Sequence, residues 1–295
     1  MFVTYDQTWG DQTSSWWAKA NRAKEHIESL RRQVDEFRAS GPYSLTPEPT
    51  EKPDRLAYRL RFLKPVPVAI STTVGDVLHN LRAALESLAF EVAKRSQGGT
   101  LTPDQEKAST FPICRDPRAF DAFFTGKRGQ LYDSRARAAF RAVQPFVYHE
   151  EARKHGVMLD RSFDETFQWS ELHRLDALWN IDKHRRLTLM AWWPDLIYWG
   201  SNGPSNRRAL PGDGTLADGS VLLCVEGTDE GQGNQLSHEF NLVLTDDPAY
   251  SGDDHGSTDD VVGLLESWHQ HIVTLAVFPR AFTIMSQATV PASGE

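Results

Sequence analysis

Three side chains, His79, Arg82 and Glu86, follow one another at offsets of 3 and 4 within Val77–Val92, a segment whose apolar residues repeat with helical period. On a helix they share one stripe beside the apolar seam. Arginine grips a phosphate through two parallel hydrogen bonds, and imidazole exchanges protons near neutral pH, so the pair suits phosphate chemistry. The plainer alternative is an Arg82–Glu86 surface pair with His79 at the edge of the core. Asp76 and Asn80 lie on the remaining polar arc. A second set sits about a hundred residues later. His173, Asn180 and His184 fall at i, i+7 and i+11, opposite Leu172, Leu175, Leu178 and Trp179, and the run Asp182-Lys183-His184-Arg185-Arg186 extends that stripe. At the rise of an α-helix His173 and His184 are about 16 Å apart, too far to share a metal, whereas Asn180 and His184 are one turn apart. Here too the plainer alternative is the wet side of a helix.

No other pattern competes. His269 and His271 point to nearly opposite sides of a helix, and Asp253, Asp254 and His255 lack paired-ligand spacing, so no metal is expected. No cofactor is expected either. Gly212 and Gly214 do not link a strand to a helix, and there is neither a P-loop nor a G-x-S-x-G elbow. Cys114 and Cys224 are the only cysteines, which excludes a disulfide framework and suits a reducing cytoplasm. The first ten residues show no secretory pattern. No apolar run approaches the roughly 20 residues that cross a bilayer, so no membrane partner is expected.

The elements that must position these residues read as α+β within a single domain spanning 1–295. It comprises a helical bundle of four to six helices over 14–186, strands over 187–250 and a closing helix over 258–278. Trp16, Ala20, Ala23, Ile27, Leu30, Val34 and Phe37 step by 4 and 3 alternately, the seam of an amphipathic helix able to pack on a partner helix or a second copy. Residues 42–53 read as a Pro-rich connector, and Arg55–Leu63 as a half-buried strand whose arginines could form one wall of an anion site. The second helix is expected to start near Thr73, with Asp76 completing a capping box, and to end by Lys94 or Arg95. Shorter helices are expected near Pro117–Phe124 and Ser134–Val143, and another over Ser170–Arg185. Apolar strands are expected at Leu187–Trp193, Ile197–Trp199, Ser220–Val225 and around Phe240, Leu242 and Leu244. The antiparallel sheet should therefore come mainly from the C-terminal half. Charge is lopsided: residues 1–208 carry 31 Lys and Arg against 26 Asp and Glu, whereas residues 209–295 carry 1 against 14. The net charge of −8 gives no ground on its own for nucleic-acid binding but leaves room for a local basic patch, and Arg115–Arg141 carries seven basic residues against three acidic.

The segments Gly75-Asp76-Val77-Leu78-His79-Asn80-Leu81-Arg82-Ala83-Ala84-Leu85 and Asn180-Ile181-Asp182-Lys183-His184-Arg185, with Phe111-Pro112-Ile113 between them, resemble a bacterial family of uncharacterised proteins. That family carries G-D-x-L-H-N-L-R-x-A-L and N-x-D-K-H-R motifs. Its first motif is similar to the R-x4-H signature of the HEPN superfamily, helical proteins that include metal-independent ribonucleases. The resemblance implies an RNA or nucleotide partner, with Arg82 holding phosphate and a histidine moving the proton. Asn80, Asn180, Asp182, Lys183 and Arg185 would contact the ligand. Ser87 occupies the histidine position, and its hydroxyl cannot serve as a general acid or base near pH 7. Either His79 or His184 takes that role, or the site is not catalytic. The competing expectation is a non-enzymatic interaction or assembly module, binding a protein partner or a second copy, in which the same residues form a structural polar network.

Overall fold

The computed structural model describes residues 14–52, 54–156, 162, 167–192, 198–200, 208–211, 218–226, 235–237, 240–246, 260–275 and 277–279. The architecture is α+β. Helix α1 (Ser15–Ala39) buries all seven residues of its 4-3 seam, and helix α2 (Val68–Ser96) lies antiparallel against it. The antiparallel register follows from two contacts. Thr73 Oγ1 accepts from Gln33 Nε2 at 3.0 Å, and Ser87 Oγ accepts from Lys19 Nζ at 2.6 Å. Between those ends Leu30, Ala23, Leu81, Ala84 and Leu85 are fully buried. Each buried Leu contributes about 2 kcal/mol by removal from water.

Helix α2 begins five residues before the expected start. Pro65 and Pro67 block helix upstream, and Val68 follows at once. Thr73 is not a cap: its hydroxyl donates to Ala69 O at 2.9 Å inside the helix, and Thr72 does the same to Val68 O at 3.1 Å. The helix ends at Ser96, where Gly98 and Gly99 take φ of +79° and +104°.

The expected connector at 42–53 is in fact largely a strand, β1 (Tyr43–Pro49), paired antiparallel with β2 (Arg55–Phe62). Its prolines misled because they read as ladder breakers. Thr50 N donates to Arg55 O, which turns the even-numbered N–H groups toward β2 and places Pro47 and Pro49 on the outer edge. There a missing donor costs nothing and blunts an edge open to foreign strands. The arginines of β2 do not wall an anion site. Glu48 of β1 accepts from Arg59 Nε at 2.7 Å and Arg61 Nη2 at 3.1 Å, and this pairing holds its carboxyl below the usual range.

The remaining strands are β3 (Leu189–Trp192), β4 (Tyr198–Gly200), β5 (Arg208–Pro211), β6 (Val221–Glu226), β7 (Gln235–Ser237) and β8 (Asn241–Leu244). A four-stranded sheet runs β1-β2-β6-β5, and two antiparallel ribbons pair β3 with β8 and β4 with β7. Six of the eight described strands follow residue 187, as expected. The turn at Asp218-Gly219 uses a glycine φ of +86°.

Between α2 and the later strands come α3 (Pro103–Ala108), α4 (Pro117–Thr125), α5 (Ser134–Ala142), α6 (Phe146–Lys154) and α7 (Glu171–His184). The closing helix α8 (Val261–Gln270) is capped by the Asp260 carboxylate and continues as a π-helical turn, His271–Leu275. It docks on α1 through Arg38–Asp260 at 2.8 Å, Arg31–Glu266 at 2.5 Å and His269 Nε2 to Ala20 O at 3.1 Å. Thr258, Asp259 and the group Asp253, Asp254 and His255 lie outside the described residues.

Candidate functional site

The first and last motifs meet. A Cβ built on Gly75 would stand 2.6 Å from Oδ1 and 2.7 Å from Oδ2 of Asp182, so the Asp182 carboxylate rests directly on the α2 backbone. Seven residues on, Arg82 Nε lies 2.9 Å from Asp176 Oδ1. Position 75 facing 182 and position 82 facing 176 define an antiparallel α2/α7 seam. The Asp176 contact lies outside hydrogen-bond geometry for the N–H, so its strength is electrostatic.

Arg82 is the node. It is 7% exposed, its Nη2 lies 2.6 Å from Glu86 Oε1 in an ion pair, and its guanidinium lies 5.5 Å from the Trp179 ring centroid. The expectation of a surface pair is therefore corrected in one respect: the pair forms, but Arg82 is buried beneath α7. Glu86 carries the network onward. It accepts from Thr110 Oγ1 and from Phe111 N, each at 3.2 Å, and so fixes the Phe111-Pro112-Ile113 segment to α2. The buried Gln144 amide holds the other end of that segment, accepting from Cys114 N at 2.8 Å and donating to Pro112 O at 3.0 Å. Burial pushes the Cys114 thiol up to about 11, which keeps it protonated and unreactive at neutral pH.

The other candidate residues divide into two groups. Asp182 gathers Asp76 and His79 around it. Burial raises its carboxyl above the ordinary range, Asp76 adds to the rise, and His79 opposes it. Asn80 is turned back onto its own helix, donating to Asp76 O at 2.8 Å. Lys183 places Nζ 2.9 Å from the Trp179 centroid, and Asn180 reaches Asp176 Oδ2 only at 3.4 Å. His184 and Arg185 are exposed, with Arg185 3.3 Å from Asp246 Oδ1. His184 lies eight residues, about 12 Å of helix, beyond Asp176, which touches Arg82. His79 is exposed on α2 itself.

Ser87, at the histidine position of the R-x4-H pattern, is committed to α1 through Lys19. Four carboxylates, Asp76, Glu86, Asp176 and Asp182, line the α2/α7 seam against the cations Arg82 and Lys183. Among the described residues no group of three or more His, Cys, Asp or Glu is arranged to hold a metal. Gly75 stands out in the sequence only as part of the first motif and Trp179 only as part of an apolar helix side, and Asp176 does not stand out at all. Asp176 nonetheless carried a usable signal, since it lies one turn before Asn180 on the same polar stripe. Comparisons of the chain with protein-family models, curated proteins and solved structures find no match.

Proposed function

We propose that the chain is a non-enzymatic interaction or assembly module whose motif residues form a structural polar network. The observation that carries this reading is the state of Arg82: buried, and bracketed by Glu86 and Asp176. A phosphate at that guanidinium would meet two carboxylates already in place, and the like charges would repel it. The same arginine joins α2 to α7, and Glu86 joins both to the Phe111–Ile113 segment. Removing one partner of such a buried cluster leaves charges unpaired, whereas the intact cluster fixes one arrangement of helices. No helix among the described residues is long and apolar enough to cross a membrane. Cys114 and Cys224 are both buried and unpaired, which supports the cytoplasmic placement expected from the sequence.

A second reading, an RNA- or nucleotide-binding HEPN-like protein, draws on the exposed side chains Lys183, His184 and Arg185 at the end of α7, with His79 on α2. One experiment separates the two. Wild type and Arg82→Ala are incubated with labelled single-stranded RNA, following binding and cleavage, and both are melted. The structural reading expects no cleavage by wild type and a loss of about 3 kcal/mol of stability in Arg82→Ala. Cleavage by wild type that disappears in a folded, equally stable Arg82→Ala would overturn it.

A further inference from the structure

The longest excursion of positive charge lies away from the motif residues, in the helical hairpin of α4 and α5. Between Arg115 and Arg141 seven basic side chains stand against three acidic ones, in a chain of net charge −8. All three acidic groups are engaged inside the hairpin, and one of the seven cations, Arg141, pairs with Glu150 of α6 at 2.7 Å. Asp116 accepts from Ala119 N at 2.8 Å and Asp133 from Ala136 N at 2.8 Å, each capping a helix, and Asp121 pairs with Arg137 at 2.7 Å. Arg118, Lys127 and Arg128 are exposed and make no ion pair among the described residues.

The hairpin is also closely packed. Phe120, Phe124, Leu131, Tyr132 and Phe140 are buried beneath it. The turn that presents Lys127 and Arg128 is fixed by Gly129, where a Cβ would stand 2.5 Å from Phe123 O and closer still to Phe124 Cα. A preorganised cationic ridge loses little freedom when an anionic partner docks.

We infer that the α4–α5 hairpin is a docking surface for an acidic protein segment. This deepens, and rests on, the reading of the chain as an interaction module. Arginine dominates the ridge, and its planar fork matches carboxylates in pairs. A nucleic acid fits less well. No aromatic side chain of residues 117–142 is exposed, so single-stranded bases find no stacking platform.

The test uses the full chain and a fluorescein-labelled oligoglutamate peptide, read by anisotropy at low and physiological salt. Oligouridylate RNA of matched charge is the competing probe. The charge reversal Lys127→Glu/Arg128→Glu should weaken peptide binding by about tenfold. The control Arg22→Glu/Arg32→Glu on α1, equal in net charge, should leave it unchanged. If melting shows the reversal disturbs the hairpin, Lys127→Gln/Arg128→Gln carries the same test. The inference is overturned if the peptide does not bind, if the control weakens binding equally, or if RNA is preferred at the same residues. Peptide failure beside an inert, RNA-ignoring wild type sinks the docking surface alone. Arg82-dependent RNA cleavage sinks the underlying reading.

Discussion

Helix α2 has two seams built on opposite physics. Toward α1 it presents an apolar ladder in which small and large residues alternate, with single polar contacts at the ends from Gln33 and Lys19. Toward α7 it presents Gly75, Asp76, His79, Arg82 and Glu86, and the contact is made by charge and close backbone approach. The apolar seam tolerates approximate partners, because burial is non-directional. The polar seam requires each partner, because an unpaired buried charge costs several times the net gain of a satisfied one. That difference separates what holds the molecule together from what specifies one helix arrangement.

The largest expected effect falls on the apolar seam. Leu30 is fully buried between α1 and α2, and Leu30→Ala removes its transfer free energy and leaves a cavity, a loss of about 3–4 kcal/mol by urea unfolding. High salt should leave that loss unchanged, since no ion pair is involved. A loss below about 1 kcal/mol would show that the α1/α2 seam is not the main source of stability.

Legibility follows the same division. The α1 seam was read correctly at all seven positions because a 4-3 repeat of apolar residues has one physical explanation. Strand β1 was missed because proline chemistry depends on which edge of a sheet it faces, and that is set by the partner strand. Residues 68–72 are not legible because Thr72 and Thr73 favour caps and turns locally but here bond back within the helix, Thr73 also to Gln33 of α1. At the candidate site, the Arg82–Glu86 pair is legible from spacing, whereas the meeting of the two motif helices is expected only from the family resemblance. The burial of Arg82, its pairing with Asp176 and the contact of Gly75 with Asp182 are not legible. They depend on the rotation of α7, which its mixed apolar and polar sequence leaves underdetermined.

The comparison sharpens at Gly75, where the polar seam exacts its backbone cost. Glycine inside α2 is about 1 kcal/mol less favourable than alanine, so Gly75→Ala alone should stabilise the helix. The new Cβ would collide with the Asp182 carboxylate, and the two effects should nearly cancel. In an Asp182→Ala background the collision is absent, and Gly75→Ala should then stabilise by about 1 kcal/mol. Equal effects in both backgrounds would mean that α7 moves aside without resistance.

The smallest effect expected is also the most specific to the polar seam. Asp182 has its carboxyl raised in the folded protein by burial first and by Asp76 second. The folded state therefore holds this proton more tightly than the unfolded chain does, and ν for the native state exceeds that of the unfolded state. From this group alone, stability falls as pH rises from the unfolded value of 3.8 through the raised folded value, and the penalty is complete above it. Asp182→Asn keeps the shape and removes the charge. Its melting temperature should gain on wild type across that window and hold a small, constant advantage at neutral pH. Were Asp182→Asn instead less stable at neutral pH, the carboxylate would be attracting His79 more than it repels Asp76. The seam would then be a charge pair rather than a close contact that tolerates its charge.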